Sequence, residues 1–262
     1  MTLYYLRRYE EALESFENLT RLDSKGGYIW EKKGLILFTL QRFEEAILVF
    51  DRVIKMSSQN AEAWYYKGLI LSNINRSEEA KIAFKNALRA CDDRVRYNPI
   101  DSVSWYQRGR ILYSLKDYNS ALESFQKAIE INENDAGFWN DKGLALYSLR
   151  RFEDSIHSYN RALEIDPNYI FSLNNKGISF LALKKYNQAI STFEKSLNIN
   201  PYDTYALYHK GLSLFRLKKY SDSLTIFCQV IDISPDHQEA LNYKNLALNM
   251  LGKEIQTYQH HI

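Results

Sequence analysis

The sequence predicts an all-α fold, because one short helix-compatible pattern recurs along the chain at a nearly constant interval. Six glycines are separated by steps of 34, 41, 34, 34 and 34 residues, and each follows a tryptophan or a leucine by four residues. With only 10 glycines and 4 prolines in 262 residues, turn residues are too scarce for a strand-rich fold. A period of this length predicts small helical units that stack on their neighbours. The six glycines are Gly34, Gly68, Gly109, Gly143, Gly177 and Gly211.

Other residue types keep the same period when the glycine is counted as position 8 of each repeat. Position 4 holds tryptophan in four repeats, position 20 is always small, position 24 is always aromatic, and all four prolines fall at position 32. The tryptophans are Trp30, Trp64, Trp105 and Trp139. The small residues are Ala46, Ala80, Ala121, Ser155, Ala189 and Ser223, and the aromatic ones are Phe50, Phe84, Phe125, Tyr159, Phe193 and Phe227.

This combination resembles the tetratricopeptide repeat family, whose unit is a helix-turn-helix stacked in tandem. The resemblance covers nearly the whole chain and implies a right-handed α-solenoid, a superhelix of such units. The departures are Lys or Arg at position 7, where the family usually has Leu, Leu or Phe rather than Tyr at position 11, and other residues in place of Pro at position 32 in some units. The resemblance divides the chain into a single array, with a partial repeat at 1–26, full repeats at 27–60, 61–101, 102–135, 136–169, 170–203 and 204–237, and a capping helix and tail at 238–262.

Helix geometry explains the glycine. At 100° per residue, positions 4, 8 and 11 of the first helix share one face, which we expect to contact the second helix of the same unit. Gly68 and the small Ala80 then let the two backbones approach closely, while Trp64 and Phe84 fill the flanking space. A larger side chain at Gly68 is expected to overfill this contact.

The 41-residue step lies in the repeat at 61–101. Its seven extra residues equal two helical turns, so a longer second helix would keep its buried face in phase. The sequence therefore favours a longer helix, with a loop at 92–98 as the alternative.

The two ends differ from the internal repeats. Tyr9 aligns with position 17, which places Met1 in the middle of a first helix and leaves the apolar Leu3 and Leu6 without their usual cover. We expect fraying or self-association through this N-terminal edge, unless the chain is a piece of a longer array. At the other end, residues 238–252 repeat a first helix with Asn245 in the place of the glycine, which suits a closing cap.

Composition argues against several functions. The net charge is only +2, so no large basic field indicates nucleic-acid binding. The chain has no apolar run long enough for a membrane span and no signal peptide at its start, which favours a cytoplasmic protein. Cys91 and Cys228 belong to no metal-binding pattern, and the five histidines accompany no catalytic motif. We therefore expect no enzyme activity, no metal and no cofactor.

A basic residue recurs at position 7. This position lies between the face at positions 4, 8 and 11 and a second apolar face, at positions 10 and 14, that packs against the neighbouring unit. We interpret these residues as packed aliphatic stems whose charged ends reach water or a neighbouring carboxylate. The alternative is a row of cations that binds an anionic partner. The residues are Lys33, Lys67, Arg108, Lys142, Lys176, Lys210 and Lys244.

The surface left after packing carries the predicted function. The family resemblance implies that positions 2, 5, 6, 9, 12 and 13 line a concave groove that binds partner segments. These positions are mostly apolar or aromatic, which indicates a protein or peptide partner with an apolar or amphipathic segment. The predicted groove residues are Phe38, Tyr65, Leu69, Tyr106, Arg110, Tyr113, Asn140, Leu144, Tyr147, Asn174, Ile178, Tyr208 and Leu212.

Three of these residues have predicted roles. Asn140 and Asn174 are expected to hydrogen-bond the backbone of the partner, and Arg110 is expected to pair with a carboxylate and fix the partner's direction. The predicted centre of the site is Tyr106, Arg110, Tyr113, Leu144, Tyr147 and Ile178.

Other functions remain open. Some members of the family hold a peptide's terminal carboxylate with a set of Lys, Asn and Arg residues. Only Asn175 matches that set, so this activity is not carried over. A structural or self-assembling array is the main alternative to partner binding. Nucleic-acid binding is less favoured, since tyrosine platforms are present but a basic track is not.

Overall fold

The computed structural model describes residues 2–22 and 26–259, with side chains described for residues 8–19 and 26–252. Within these residues the regular elements are fourteen α-helices and no strand, which confirms the predicted all-α fold. The chain divides into two compact units, Met1–Ile131 and Asn132–Ile262. Each unit is described by itself below.

In the first unit, each helix packs against the next one along the chain. The first helices of successive pairs, α2, α4 and α6, also contact one another in turn. The helices are α1 Thr2–Leu22, α2 Gly27–Thr39, α3 Phe43–Met56, α4 Ala61–Asn73, α5 Ser77–Tyr97, α6 Ser102–Ser114 and α7 Tyr118–Ile131.

The second unit repeats this arrangement. Sequential helices pack together, and α8, α10, α12 and α14 contact one another in turn. The first helices of its three pairs therefore form a continuous layer. The helices are α8 Ala136–Ser148, α9 Phe152–Ile165, α10 Ile170–Ala182, α11 Tyr186–Ile199, α12 Thr204–Arg216, α13 Tyr220–Ile233 and α14 Gln238–Gln259.

The local sequence explains where the first helices begin. Asn60 caps α4, because its side-chain oxygen accepts a hydrogen bond from the backbone N–H of Ala63 at 2.9 Å. Asp101, Asp135 and Asp203 cap α6, α8 and α12 in the same way. The indole N–H of Trp64 donates to the carbonyl oxygen of Ser58 at 3.0 Å, which ties the helix to the preceding loop. The indoles of Trp105 and Trp139 make the equivalent bonds to Pro99 and Glu133.

The turn inside each pair depends on one residue with left-handed backbone geometry. Among the residues that the structure describes, six non-glycine residues have φ between 58° and 64°, always at position 15. This conformation is unfavourable for residues with a Cβ. The backbone hydrogen bonds that close each turn compensate for it, as at Asn75, whose N–H donates to Ser72 at 3.1 Å. The six residues are Gln41, Asn75, Lys116, Arg150, Lys184 and Lys218.

Two sequence predictions about irregular segments have different outcomes. Of the two alternatives for the 41-residue step, the structure has the longer helix: α5 has 21 residues, against 14 in α3, and buries Cys91 and Val95 in its added turns. At the N-terminus, where the repeat alignment places Met1 in the middle of a first helix, the structure has one continuous helix over Thr2–Leu22. Met1 and the side chains of Leu3 and Leu6 lie outside the described residues.

The glycines face the aromatic residue at position 24. A Cβ built on Gly34 would lie 2.7 Å from the ring of Phe50, and one built on Gly177 would lie 2.6 Å from the ring of Phe193. Both rings are fully buried. The sequence predicted that the aromatic residue lies beside the close approach of the two helices. In the structure, its ring instead occupies the space that a side chain on the glycine would take.

Candidate functional site

The position-7 cations are mostly used for packing within the units. Four of them form ion pairs with an acidic residue sixteen positions earlier, on the preceding second helix. The pairs are Lys33–Glu17 at 3.3 Å, Lys67–Asp51 at 2.5 Å, Arg108–Asp92 at 2.7 Å and Lys210–Glu194 at 3.0 Å. These contacts confirm the structural interpretation for these four residues.

In the first unit, the predicted groove residues are largely engaged in aromatic packing. Tyr65 is only 8% exposed and packs against Phe84, with the ring centroids 5.9 Å apart. The guanidinium carbon of Arg110 lies 4.8 Å from the Tyr65 ring centroid and 5.7 Å from that of Tyr106. Tyr65 is therefore part of the core, and Arg110 lies over the faces of two tyrosines.

The other three predicted residues of the first unit are half-buried. Phe38 lies against Phe43 at 6.2 Å between ring centroids, and Tyr113 lies against Tyr118 at 5.2 Å. Leu69 packs on the core of α4 and α5. These side chains stabilise the first helices against the starts of the second helices.

In the second unit, Asn140 and Asn174 do not present their side chains to a partner. Asn140 is 5% exposed, and its Oδ1 accepts hydrogen bonds from Ser172 at 3.0 Å and Asn175 at 3.1 Å. Asn174 is 8% exposed and donates to Asp203 at 2.8 Å. These hydrogen bonds tie each first helix to the next. A role of both residues in binding the backbone of a partner stays a prediction.

A groove in the second unit collects three of the predicted residues. Tyr147 from α8, Ile178 from α10 and Leu212 from α12 line an open recess of about 580 Å³. Leu181 adds to its apolar lining, and Tyr186 contributes from the start of α11. This groove is the candidate functional site.

The groove has a basic edge that sequence reasoning missed. Lys184 follows the end of α10, Arg216 is the last residue of α12, and both side chains are exposed and line the groove. Neither forms an ion pair with any residue whose side chain the structure describes. The sequence could have indicated both cations, because Lys184 holds position 15, in the turn, and Arg216 holds groove position 13.

His209 was also missed, although it holds groove position 6. Its ring stacks on Phe193 with the centroids 5.9 Å apart and meets Tyr205 edge-on at 4.5 Å. Burial, followed by the nearby His237, lowers the pKa of His209 to about 4. The imidazole is therefore neutral at pH 7 and acts as an aromatic part of the groove.

Two more predicted residues of the second unit do not line this groove. Leu144 is half-buried on α8. Tyr208 joins an aromatic cluster, in which its ring lies 6.1 Å from Phe227 and 5.1 Å from His237. Tyr208 thus packs toward the last helices.

The predicted central cluster draws on both units. Its members Tyr106, Arg110 and Tyr113 belong to the first unit, and Leu144, Tyr147 and Ile178 belong to the second. Within the second unit, Tyr147 and Ile178 line one groove. A single site formed by all six residues stays a prediction.

Two further features concern alternative functions. Among residues 2–22 and 26–259, none of the helices combines the length and apolar content that crossing a membrane requires. The part of the chain that the structure describes has no cluster of three or more His, Cys, Asp and Glu residues suited to hold a metal ion. Cys91 and Cys228 are free, and burial raises the pKa of the Cys91 thiol to about 12.

The tandem helix pairs define a helical-repeat protein, and family comparison identifies the kind of repeat. Four models described as "Tetratricopeptide repeat" match the chain, and together they cover most of it. The chain belongs to the tetratricopeptide repeat family. The matched ranges are 1–61, 49–82, 102–135, 136–169, 158–191 and 204–237.

Solved structures support the same fold. The chain resembles one in the crystal structure of the APC/C hetero-tetramer Cut9–Hcn1, with a TM-score of 0.69 and 18% identity over 92% of this chain. It spans 46% of that larger chain. It also resembles MamA, with a TM-score of 0.56 and 19% identity over 66% of this chain and 94% of that one. Among curated protein sequences, none matches this chain.

Proposed function

We propose that this protein is a non-catalytic interaction scaffold and that the groove of the second unit binds an apolar or amphipathic peptide segment of a protein partner. The observation that carries the proposal is the apolar lining of a recess that remains open after the helices have packed. Ile178, Leu181 and Leu212 are each only half-buried there. A partner that covers them removes further apolar surface from water.

The groove's construction supports a segment rather than a small compact ligand. Its lining comes from α8, α10 and α12, and these helices contact one another in turn. An extended or helical segment can therefore place successive side chains over successive helices. Tyr147 supplies a rigid aromatic contact, a residue type that often contributes strongly to binding.

The basic edge of the groove favours a particular charge in the residues that flank the partner's apolar anchors. Lys184 and Arg216 place two cations beside the apolar lining. Acidic residues next to the apolar anchors of a partner would meet them with complementary charge. We therefore infer an amphipathic partner segment with an acidic flank.

Affinity capture with matched variants tests this function. Leu212→Asp places a charge in the apolar lining, and Leu48→Asp makes the same change at a side chain that is 70% exposed on α3. Wild type and Leu48→Asp are expected to retain the same protein partner, and Leu212→Asp is expected to lose it. Circular dichroism checks that both variants fold. Retention of the partner by folded Leu212→Asp would contradict the proposal, and a captured nucleic acid with a steep salt dependence would replace it.

A further inference from the structure

Lys176 lacks the ion pair that Lys33, Lys67, Arg108 and Lys210 form with an acidic residue sixteen positions earlier. It lies on α10 with its side chain half-buried, and the residue sixteen positions earlier is Asn160. In the equivalent place, Asp51 pairs with Lys67 and Glu194 pairs with Lys210. Lys176 forms no ion pair with any residue whose side chain the structure describes. Its ammonium instead lies 5.9 Å from the ring centroid of Phe180.

An open groove lies where the missing carboxylate would stand. It has a volume of about 450 Å³ and lies between α9, α10 and α11, with both Asn160 and Lys176 in its lining. Thr192 adds a hydroxyl, and Leu173 adds an apolar wall. This groove is distinct from the one proposed to bind a peptide, since the two share no residue.

The charges around the groove leave Lys176 short of a counter-ion. Lys195 is exposed, lines the same groove and forms no ion pair within the described side chains. Glu164 also lines it but is paired with Arg161 on its own helix. Burial, followed by the charge of Lys195, lowers the pKa of Lys176. An incoming anion would therefore relieve the repulsion between two ammonium groups.

Gln126 and Cys228 hold the place of the acidic residue before Lys142 and Lys244, so a missing carboxylate alone does not define a site. Lys176 differs in having the surrounding groove and the second lysine.

We propose that this groove is a receptor for a carboxylate group, which binds Lys176 in the place that Asp51 and Glu194 occupy in the sibling pairs. Lys195 provides a second cation at the groove. The carboxylate comes either from a small free acid or from an acidic side chain of a partner. In both cases the ligand completes an ion pair that the chain itself supplies elsewhere.

An internal competitor tests this site. Asn160→Asp supplies the carboxylate within the chain and is expected to occupy Lys176. The side-chain resonances of isotope-labelled lysine are followed by NMR while acetate replaces chloride at constant ionic strength. In the wild type, the Lys176 resonance, assigned with Lys176→Gln, is expected to shift and to saturate below about 100 mM acetate. In Asn160→Asp, the Lys176 resonance is expected to start near the position that it reaches in the wild type with acetate. Acetate is then expected to shift it several-fold less.

The resonance of Lys210 is the control, and a blocked peptide is the second probe. Lys210 is already paired with Glu194, so its resonance is expected to stay unchanged when acetate is added. The blocked peptide acetyl-Gly-Asp-Gly-amide tests a side-chain carboxylate. A response to acetate alone identifies a site for small acids, and a response to both probes identifies a surface that also accepts a partner's acidic residue. No response of Lys176 to either probe, or an equal response in folded Asn160→Asp, would overturn the proposal.

Discussion

The ring of Phe84 fills the space into which a side chain at Gly68 would project. A Cβ on Gly68 would lie 2.6 Å from Cε1 and 2.7 Å from Cδ1 of that ring, distances that force a neighbour to move. Phe84 is 4% exposed and held by the core of α4 and α5, so it has little freedom to do so. This contact explains why a glycine persists in the middle of a helix, where it costs about 1 kcal/mol relative to alanine.

Gly68→Ala is therefore expected to destabilise the protein despite its better helix propensity. Overpacking costs about 1 to 3 kcal/mol and the gain in helix propensity is about 1 kcal/mol, so the net loss is up to about 2 kcal/mol. The matched control is Gly252→Ala in α14, where a Cβ would meet nothing within 4 Å and is expected to add up to about 1 kcal/mol. Urea unfolding of both variants measures the difference. A stabilised Gly68→Ala would contradict the packing account.

The turn between α6 and α7 provides the opposite case, in which glycine is missing. Lys116 has a φ of 64°, and its side chain is exposed. Lys116→Gly removes the steric penalty of the left-handed conformation, about 1 kcal/mol or more, but increases the freedom of the unfolded chain. We expect a net gain in unfolding free energy of about 0.5 to 1 kcal/mol. Thermal unfolding that shows a clear loss would mean that the lysine side chain stabilises the turn.

His209 predicts a pH dependence of stability. Its pKa in the folded protein is about 4, below its ordinary value of 6.5, so the unfolded chain binds a proton at this site before the folded chain does. The free energy of unfolding should therefore fall as the pH drops from 6.5 to 4, by up to about 3 kcal/mol. This contribution is fully present above pH 6.5.

His209→Phe keeps an aromatic ring on Phe193 and removes the titrating group. Other groups titrate in both proteins, so the difference between their stability curves isolates His209. We expect the variant to lose less stability than the wild type between pH 7.5 and 4.5 in denaturant titrations. Parallel curves would show that His209 titrates normally.

The sequence predicted the fold well because its signals are local and repeated. A glycine, a small residue and an aromatic residue at fixed spacing encode one helix pair, and the same code appears in each repeat. The seven-residue insertion kept the helical phase, so α5 could be predicted by counting turns. The continuous α1 was missed, since the pattern that marks a turn at Leu40 is also present at Leu6.

The site was less predictable, because exposure depends on neighbours that repeat positions do not reveal. Asn174 occupies a groove position, yet Asp203 of the next repeat draws its amide into an internal hydrogen bond. Arg110 is placed over Tyr65 by the packing of α4 against α6. Lys184 lies after the end of α10, outside the predicted groove positions, and Arg216 holds groove position 13 at the end of α12 but was not among the predicted residues.

Binding in the groove of the second unit is tested most directly by selecting peptides and measuring their dissociation constants. Peptides enriched from a random display library on the wild-type protein are expected to carry apolar anchors with an acidic flank. Fluorescence anisotropy measures the Kd of these peptides for the wild type and for the double variant Lys184→Glu/Arg216→Glu. The control is Lys85→Glu/Lys116→Glu, which reverses two exposed charges in the first unit. Groove binding predicts at least a tenfold weaker Kd, about 1.4 kcal/mol, for the first variant alone. An unchanged Kd, or an equal loss in the control, would contradict it.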